Sequence, residues 1–318
     1  MRHRPSLSAE PREDGLPARV DIVEVGPRDG LQNEKTLVPT EAKAAFVRAL
    51  AACGFPEIEV TSFVSPRWVP QMADASELLE AVGPPPSSVV YSALVPNEAG
   101  MERAIAAGVK RVAVFTAASE TFSRRNINAS IAESIERFKP VMAMAKSAGI
   151  SVRGYLSTAF VCPYEGDIAP QAAGDVLRRL FELGVDEVSI GDTIGAASPL
   201  QVNDLLDELA DDIDAGHLAM HFHDTRGTAL SNVLTSLERG IWIFDSSAGG
   251  LGGCPFAPGA TGNLATEDLV YFLNRMGIDT GVDLDAVRQA SNALRAAATG
   301  VRQPSRVLEA MNAAPPRD

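Results

Sequence analysis

Two histidines, His221 and His223, stand two residues apart in the run Leu218-Ala219-Met220-His221-Phe222-His223. On a β-strand that spacing turns both imidazoles to one side and Phe222 to the other, as a pair of metal ligands requires. A carboxylate from Asp29 and an amide oxygen from Asn263 would complete a divalent-cation site with positions left open for substrate. The competing reading is a pair of hydrogen-bonded core histidines. Arg28 precedes Asp29, and an arginine beside a metal offers fixed, permanently charged donors to a developing enolate; an isolated Arg-Asp dipeptide would be a plain ion pair. Glu59, Asp192 and Cys254 also have chemistry to offer. Asp192, in Ser189-Ile190-Gly191-Asp192-Thr193-Ile194-Gly195, reads either as a catalytic group or as a helix N-cap. Cys254 sits in a run from Gly249 to Ala265, seventeen residues with six glycines. That run is long enough for a lid, where a thiol can transfer a proton. Cys53, just before Gly54, reads as a small buried residue. Cys162, in Cys162-Pro163-Tyr164-Glu165-Gly166, stays open between the two roles.

These groups need a frame, and a repeated unit supplies one. An Ala- or Leu-rich amphipathic stretch, a glycine and a short β-branched run recur at Gly54, Gly108, Gly149, Gly184 and Gly240. Glycine just past a helix permits the left-handed C′ conformation, so each unit reads as helix, cap, strand. The strands expected after these glycines are 56–60, 111–115, 150–152, 187–190 and 241–244. Strands at 20–25, 89–95 and 218–223 bring the total to eight, the number of a (β/α)8 TIM barrel with a short C-terminal helical extension. In such a barrel reactive groups gather at the carboxyl ends of the strands, where Arg28, Asp29, Glu59, Asp192, His221 and His223 all fall. An open doubly wound sheet is the alternative, but Gly26-Pro27-Arg28-Asp29-Gly30 has charges where its phosphate turn needs glycines. No Gly-x-x-x-x-Gly-Lys-[Ser/Thr] motif occurs either. The expected division is a flexible tail over 1–19, a catalytic barrel over 20–281 and a helical extension over 282–318 packed on the barrel.

The 318 residues include 46% hydrophobic and 22% charged residues, with mean hydropathy +0.03, a globular composition. The formal net charge of −13 repels polyphosphate and argues against nucleic acid as a partner. Three widely spaced cysteines suit reduced thiols in a cytoplasmic chain. No apolar run approaches the roughly 18 residues of a membrane helix, and acidic residues interrupt the arginines of the first 19 positions, unlike a transit peptide. Arg124, Arg125 and Asn126 form the most basic cluster near the mouth, with Lys35, Arg67 and Arg153 as further members, and a phosphate-bearing ligand would dock there.

The segments Val23 to Glu34 (VEVGPRDGLQNE), Thr61 to Met72 (TSFVSPRWVPQM), Cys162 to Gly166 (CPYEG), Gly249 to Pro255 (GGLGGCP) and Asn263 to Asp268 (NLATED) closely resemble the 3-hydroxy-3-methylglutaryl-CoA lyase family. The resemblance runs from about Val20 to Gly281. It implies a metal-dependent barrel related to the isopropylmalate and homocitrate synthases, with Mg²⁺ or Mn²⁺ as cofactor, an acyl-CoA substrate and a homodimer. Asp29, His221, His223 and Asn263 would ligate the metal, supported by Glu59. Arg28 would face the thioester carbonyl, Cys254 would be the loop thiol, and Asp192 or His221 would be the first base. Gln32, Lys35, Arg124 and Arg125 complete the expected substrate-contacting set.

The implied reaction cleaves hydroxymethylglutaryl-CoA to acetyl-CoA and acetoacetate. Arg226-Gly227-Thr228 and Phe160-Val161 depart from the family's usual residues, which raises lyases of longer branched 3-hydroxyglutaryl-CoA thioesters as the alternative. A Claisen-type synthase of 2-oxo acids and acetyl-CoA is disfavoured, since such synthases usually carry a further C-terminal region and about 37 residues follow Gly281.

Overall fold

A computed structural model describes residues 11–252 and 262–313. The strands are β1 (Asp21–Glu24), β2 (Glu57–Ser62), β3 (Val90–Leu94), β4 (Arg111–Ala117), β5 (Ser151–Ser157), β6 (Val161–Cys162), β7 (Gly166–Asp167), β8 (Glu187–Asp192), β9 (Leu218–Phe222) and β10 (Ile243–Ser246). All except the β6–β7 hairpin close into a barrel in the order β1-β10-β9-β8-β5-β4-β3-β2. Every neighbouring pair in it is parallel. The helices described are α1 (Thr40–Ala51), α2 (Ala75–Val82), α3 (Glu98–Ala106), α4 (Glu120–Ile127), α5 (Ile131–Ala148), α6 (Pro170–Leu183), α7 (Pro199–Leu209), α8 (Ala229–Glu238), α9 (Thr266–Arg275), α10 (Leu284–Ala297) and α11 (Arg306–Ala313). The eight-stranded barrel expected from the repeated unit is therefore present, and all five capping glycines have positive φ.

Two strands run further than their apolar residues suggest. β5 continues past Val152 through Arg153, Gly154 and Tyr155, and β10 continues past Phe244 to Asp245 and Ser246. Their charged side chains are ion-paired inside the barrel. Arg153 lies 2.7 Å from Glu187 and 2.7 Å from Asp245, and Arg111 lies 3.2 Å from both Glu57 and Glu187. Buried charges are tolerated when paired in this way, so an apolar pattern stops short of the true strand ends.

The terminal segments lie against the barrel. Arg12 donates to the Met276 carbonyl at 2.7 Å, Arg19 pairs with Asp279 at 3.2 Å, and Leu16 packs on the core. Residues 11–19 of the expected tail thus have partners on the barrel, and residues 1–10 of it lie outside the described residues. At the other end α10 packs on α1, and α11 packs on α9.

Glu24 closes β1 onto the loops that carry the site. Its fully buried carboxyl accepts from Gly26 N (2.8 Å), Ala248 N (2.9 Å) and Thr266 Oγ1 (2.6 Å). A Cβ on Gly26 would come within 2.5 Å of the same carboxyl, so only glycine fits there. Burial raises the Glu24 pKa from 4.5 to about 8 against the pull of its hydrogen bonds. The folded chain then holds a proton that the unfolded chain releases near its ordinary value, so this contribution is complete at low pH and is lost as pH rises through about 8. The melting temperature should fall between about pH 5 and pH 9. Glu24→Gln, which keeps an acceptor and cannot ionise, should flatten that slope in a calorimetric pH series; parallel curves would contradict the assignment.

Candidate active site

β1 ends in a single π-helical turn, Gly26–Gly30, in which the Val25 carbonyl accepts from the amides of Arg28, Asp29 and Gly30. This turn sets Arg28 and Asp29 on the carboxyl mouth of the barrel. The Arg28 Nε donates to Glu59 Oε2 at 2.6 Å, and Nη1 donates to Asp29 Oδ1 at 2.6 Å. Tyr155 donates its hydroxyl to the same Glu59 oxygen at 3.1 Å, and its ring lies 5.3 Å from the Arg28 guanidinium carbon. Arg28 is 5% exposed. Burial works against its charge, but Glu59 and Asp29 outweigh that and hold it firmly protonated. Burial likewise opposes ionisation of Asp29, yet Arg28 and the two histidines bring its pKa down to about 2.

His221 on β9 and His223, one residue beyond the end of that strand, turn their rings the same way, with Nε2 atoms 3.2 Å apart. The Asp29 Oδ2 atom lies 3.9 Å from His221 Nε2. One ligand atom from each of Asp29, His221 and His223 falls within 4.8 Å of the others. Burial, with His221 beside it, lowers the His223 pKa to about 3, so its ring is neutral and able to ligate. His221 is pulled both ways: burial opposes its charge, but the Asp245 hydrogen bond and the Asp245 and Asp29 charges raise its pKa overall.

Asn263 reaches the site because its backbone bridges that of His223. Its amide nitrogen donates to Asp29 Oδ2 and to the Leu251 carbonyl, each at 2.9 Å. The approach needs Gly252, which has φ +103° and where a Cβ would lie 2.7 Å from that nitrogen. The Asn263 Oδ1 atom is buried with no hydrogen-bond partner among the described residues. A buried oxygen without a donor normally costs about 1–3 kcal/mol. Two facing imidazole nitrogens, a carboxylate and this free amide oxygen are the N and O donors that suit a divalent cation.

A cavity of about 720 Å³ opens over these groups. Arg28, Asp29, Gln32, Arg125, His221 and His223 line it, as do Tyr155, Ser189 and the exposed Trp68. Other expected site residues lie elsewhere. Lys35 is exposed and not on the cavity wall, and Arg124 is exposed, 3.9 Å from Glu120. Arg153 is a buried barrel cation, 1% exposed, not part of a surface cluster. Glu59 grips Arg28 and is not among the clustered ligand atoms. Asp192 is neither an N-cap of α7, a role filled by Ser198, nor on the cavity wall. Its two oxygens accept from Ala196 N (2.9 Å) and Ala197 N (3.0 Å), and burial raises its pKa to about 6.

Arg226 donates to the carbonyls of Ile194 and Gly195, and Phe160 is buried in a stacked pair with Phe222. Neither residue lines the cavity. Cys53 and Cys162 are buried and free. Burial raises the Cys53 thiol to about 12, and Cys162 bonds Ser119 Oγ at 3.0 Å. Cys254 lies outside the described residues.

Sequence reasoning missed Tyr155, Ser189 and Asp245. Asp245 follows Phe244, the last residue of the expected strand, and it pairs in register with His221 because the strand continues through it.

A closed parallel barrel whose carboxyl mouth gathers an arginine and N and O donors suited to a divalent cation has the arrangement of a barrel enzyme's active site. The chain belongs to the HMGL-like family, whose model matches residues 19–294. It is 53% identical over 278 residues to the rat cytoplasmic 3-hydroxy-3-methylglutaryl-CoA lyase, covering 87% of this chain and 81% of that one. With the rat mitochondrial hydroxymethylglutaryl-CoA lyase the identity is 52% over 277 residues, covering 87% and 85%. The crystal structure of hydroxymethylglutaryl-CoA lyase from Pseudomonas aeruginosa superposes with TM-score 0.91 at 49% identity, covering 94% of this chain and 99% of that one. An HMG-CoA lyase from Acinetobacter baumannii, solved with coenzyme A and 3-methylmalate, superposes with TM-score 0.88 at 36% identity, covering 95% and 98%.

Proposed function

We propose that this chain is a carbon–carbon lyase that cleaves 3-hydroxy-3-methylglutaryl-CoA to acetyl-CoA and acetoacetate. The observation that carries this reading is the convergence of Asp29, His221 and His223 beside Arg28 in one cavity, in a chain of this family. Asp29, His221, His223 and the Asn263 amide oxygen would hold a divalent cation, Mg²⁺ or Mn²⁺, which when bound polarises the substrate's tertiary hydroxyl and lowers its pKa.

The chain's own residues supply the rest. Breaking the bond between the α-carbon of the thioester and the hydroxyl-bearing carbon leaves an enolate on acetyl-CoA and a ketone on acetoacetate. Arg28 faces the thioester oxygen with the N–H groups that Glu59 and Asp29 leave free, and its charge stabilises the enolate as it forms. Glu59 and Tyr155 keep the guanidinium in that pose. The hydroxyl proton leaves to the first base, for which the two candidates are His221, which lines the cavity, and Asp192, which does not. The returning proton is assigned to Cys254.

Gln32 and Arg125, both on the cavity wall, are the contacts proposed for the CoA portion. Arg125 lies 4.2 Å over the Tyr164 ring, which holds its charge near the mouth. The reading includes a homodimer and a cytoplasmic location. The free thiols Cys53 and Cys162 agree with a reducing compartment, although the rat relatives carry both compartment names.

Purified protein should release acetyl-CoA from 3-hydroxy-3-methylglutaryl-CoA with Mg²⁺ or Mn²⁺, and lose that activity on chelation and regain it on readdition. Cleavage of longer branched thioesters alone would transfer the assignment to those substrates. Full activity in chelator would remove the cation from the reaction.

A further inference from the structure

The two imidazoles of the cation site are held differently. His221 Nδ1 lies 3.1 Å from Asp245 Oδ2, deep in the barrel. The same Asp245 oxygen accepts from Ser189 Oγ at 2.7 Å, and the other accepts from Arg153 Nη2 at 2.7 Å. The Asp245 side chain is fully buried, and Arg153 is itself fixed by Glu187 at 2.7 Å. An ionised carboxylate only accepts, so the hydrogen on the His221 ring must sit on Nδ1. The lone pair is then on Nε2, the atom that faces His223 Nε2 and Asp29 Oδ2. His223 has no comparable support: its Nδ1 is buried without a hydrogen-bond partner among the described residues.

We propose that Asp245, braced by Ser189 and Arg153, is the positioning residue that sets the tautomer and ring angle of His221 and thereby the affinity of the site for its divalent cation. This rests on the reading of Asp29, His221 and His223 as cation ligands. The physical reason is that a carboxylate on the far nitrogen does two things. It removes the wrong tautomer, which would point an N–H at the cation, and it makes the ligating nitrogen more electron-rich. The strand register supports the pairing, since Asp245 on β10 lies directly opposite His221 on β9. The interior ionic cluster of Arg153, Glu187, Arg111 and Glu57 then has a second consequence beyond filling the barrel. By pairing with Asp245 from below, Arg153 keeps it ionised and pointed at the imidazole.

The test reads cation binding directly, by electron paramagnetic resonance of free Mn²⁺ during titration, on the full chain. Asp245→Asn should raise the Mn²⁺ Kd about 10–100-fold, the usual cost of losing an outer partner of a ligating histidine. Glu187→Gln disturbs the same ionic cluster without touching His221 and should leave the Kd within about two-fold. Nitrogen NMR of the cation-free chain should show His221 protonated on Nδ1, and the Asn variant should lose that signature.

An unchanged Kd in folded Asp245→Asn would overturn the proposal. So would an equal loss in Glu187→Gln, since the effect would then be general loosening of the barrel. If the Asn variant does not fold, Ser189→Ala removes one brace and should weaken binding a few-fold, and parity with wild type would count against the proposal. Absence of Mn²⁺ binding by the wild-type chain would overturn the cation site itself, an outcome distinct from binding that is indifferent to Asp245.

Discussion

Arg28→Lys should lower kcat by about 10²–10³-fold while Mn²⁺ affinity and melting temperature stay close to wild type. Arg28 is nearly buried and ion-paired to Glu59 and Asp29, so deleting its charge would strand a carboxylate that is 1% exposed. Breaking one side of such a pair costs about 3–5 kcal/mol and would confuse folding with chemistry. Lysine keeps the charge and removes the planar fork. A guanidinium can donate to Glu59, Asp29 and a substrate oxygen at once because its five N–H groups diverge in one plane. An ammonium that satisfies both carboxylates has no donor left in a fixed direction for the thioester oxygen. Steady-state rates on 3-hydroxy-3-methylglutaryl-CoA, with calorimetry and a Mn²⁺ titration, separate these contributions. A kcat within about three-fold of wild type would show that charge alone suffices and would withdraw the role given to the fork.

Asp29→Asn should have the larger effect. Among the described residues Asp29 is the carboxylate that clusters with the two histidines, and Arg28 helps keep it ionised far below neutral pH. Asparagine preserves the shape and the hydrogen-bonding outline but offers no net charge to a dication. Cation affinity should fall by more than the about 100-fold that loss of an outer partner costs. A bound cation supplies several kcal/mol to the reaction, and loss of about 4 kcal/mol lowers the rate about 10³-fold. Saturating Mn²⁺ should recover part of this rate, whereas it should not rescue Arg28→Lys. The contrast assigns the two neighbouring residues to different tasks. Equal responses of the two variants to added Mn²⁺ would contradict that division.

How much of the site was legible depended on the kind of signal each residue leaves. The capping glycines each stand between an amphipathic stretch and a β-branched run and are required by local backbone geometry, so the barrel could be read from them. His221 and His223 declare themselves by strand periodicity, and Arg28 with Asp29 by following the first strand directly. Arg153 and Asp245 left no such signal, because a charge inside a strand looks like the strand's end until its partner is known. Lys35 and Arg124 carry charge close in sequence to cavity residues, yet neither is on the cavity wall. Asp192 follows the same lesson: it lies at a strand's carboxyl end as expected, yet its oxygens are engaged by the amides of its own loop.

The sequence by itself determined the eight helix-and-strand units, the parallel barrel they close into, the family, and the four residues whose types suit a divalent cation. The first two and the last depend on periodicity, glycine placement and residue chemistry, and the family on the resemblance of short motifs, all local in the chain. Only the tertiary structure decided that Glu59 holds Arg28, that Asp245 reaches His221 from the adjacent strand, and that Arg226 and Phe160 do not line the cavity. Each of those outcomes depends on which side chains meet across elements far apart in sequence. Closure of the barrel sets those meetings by register and direction, and neither is written in any single segment.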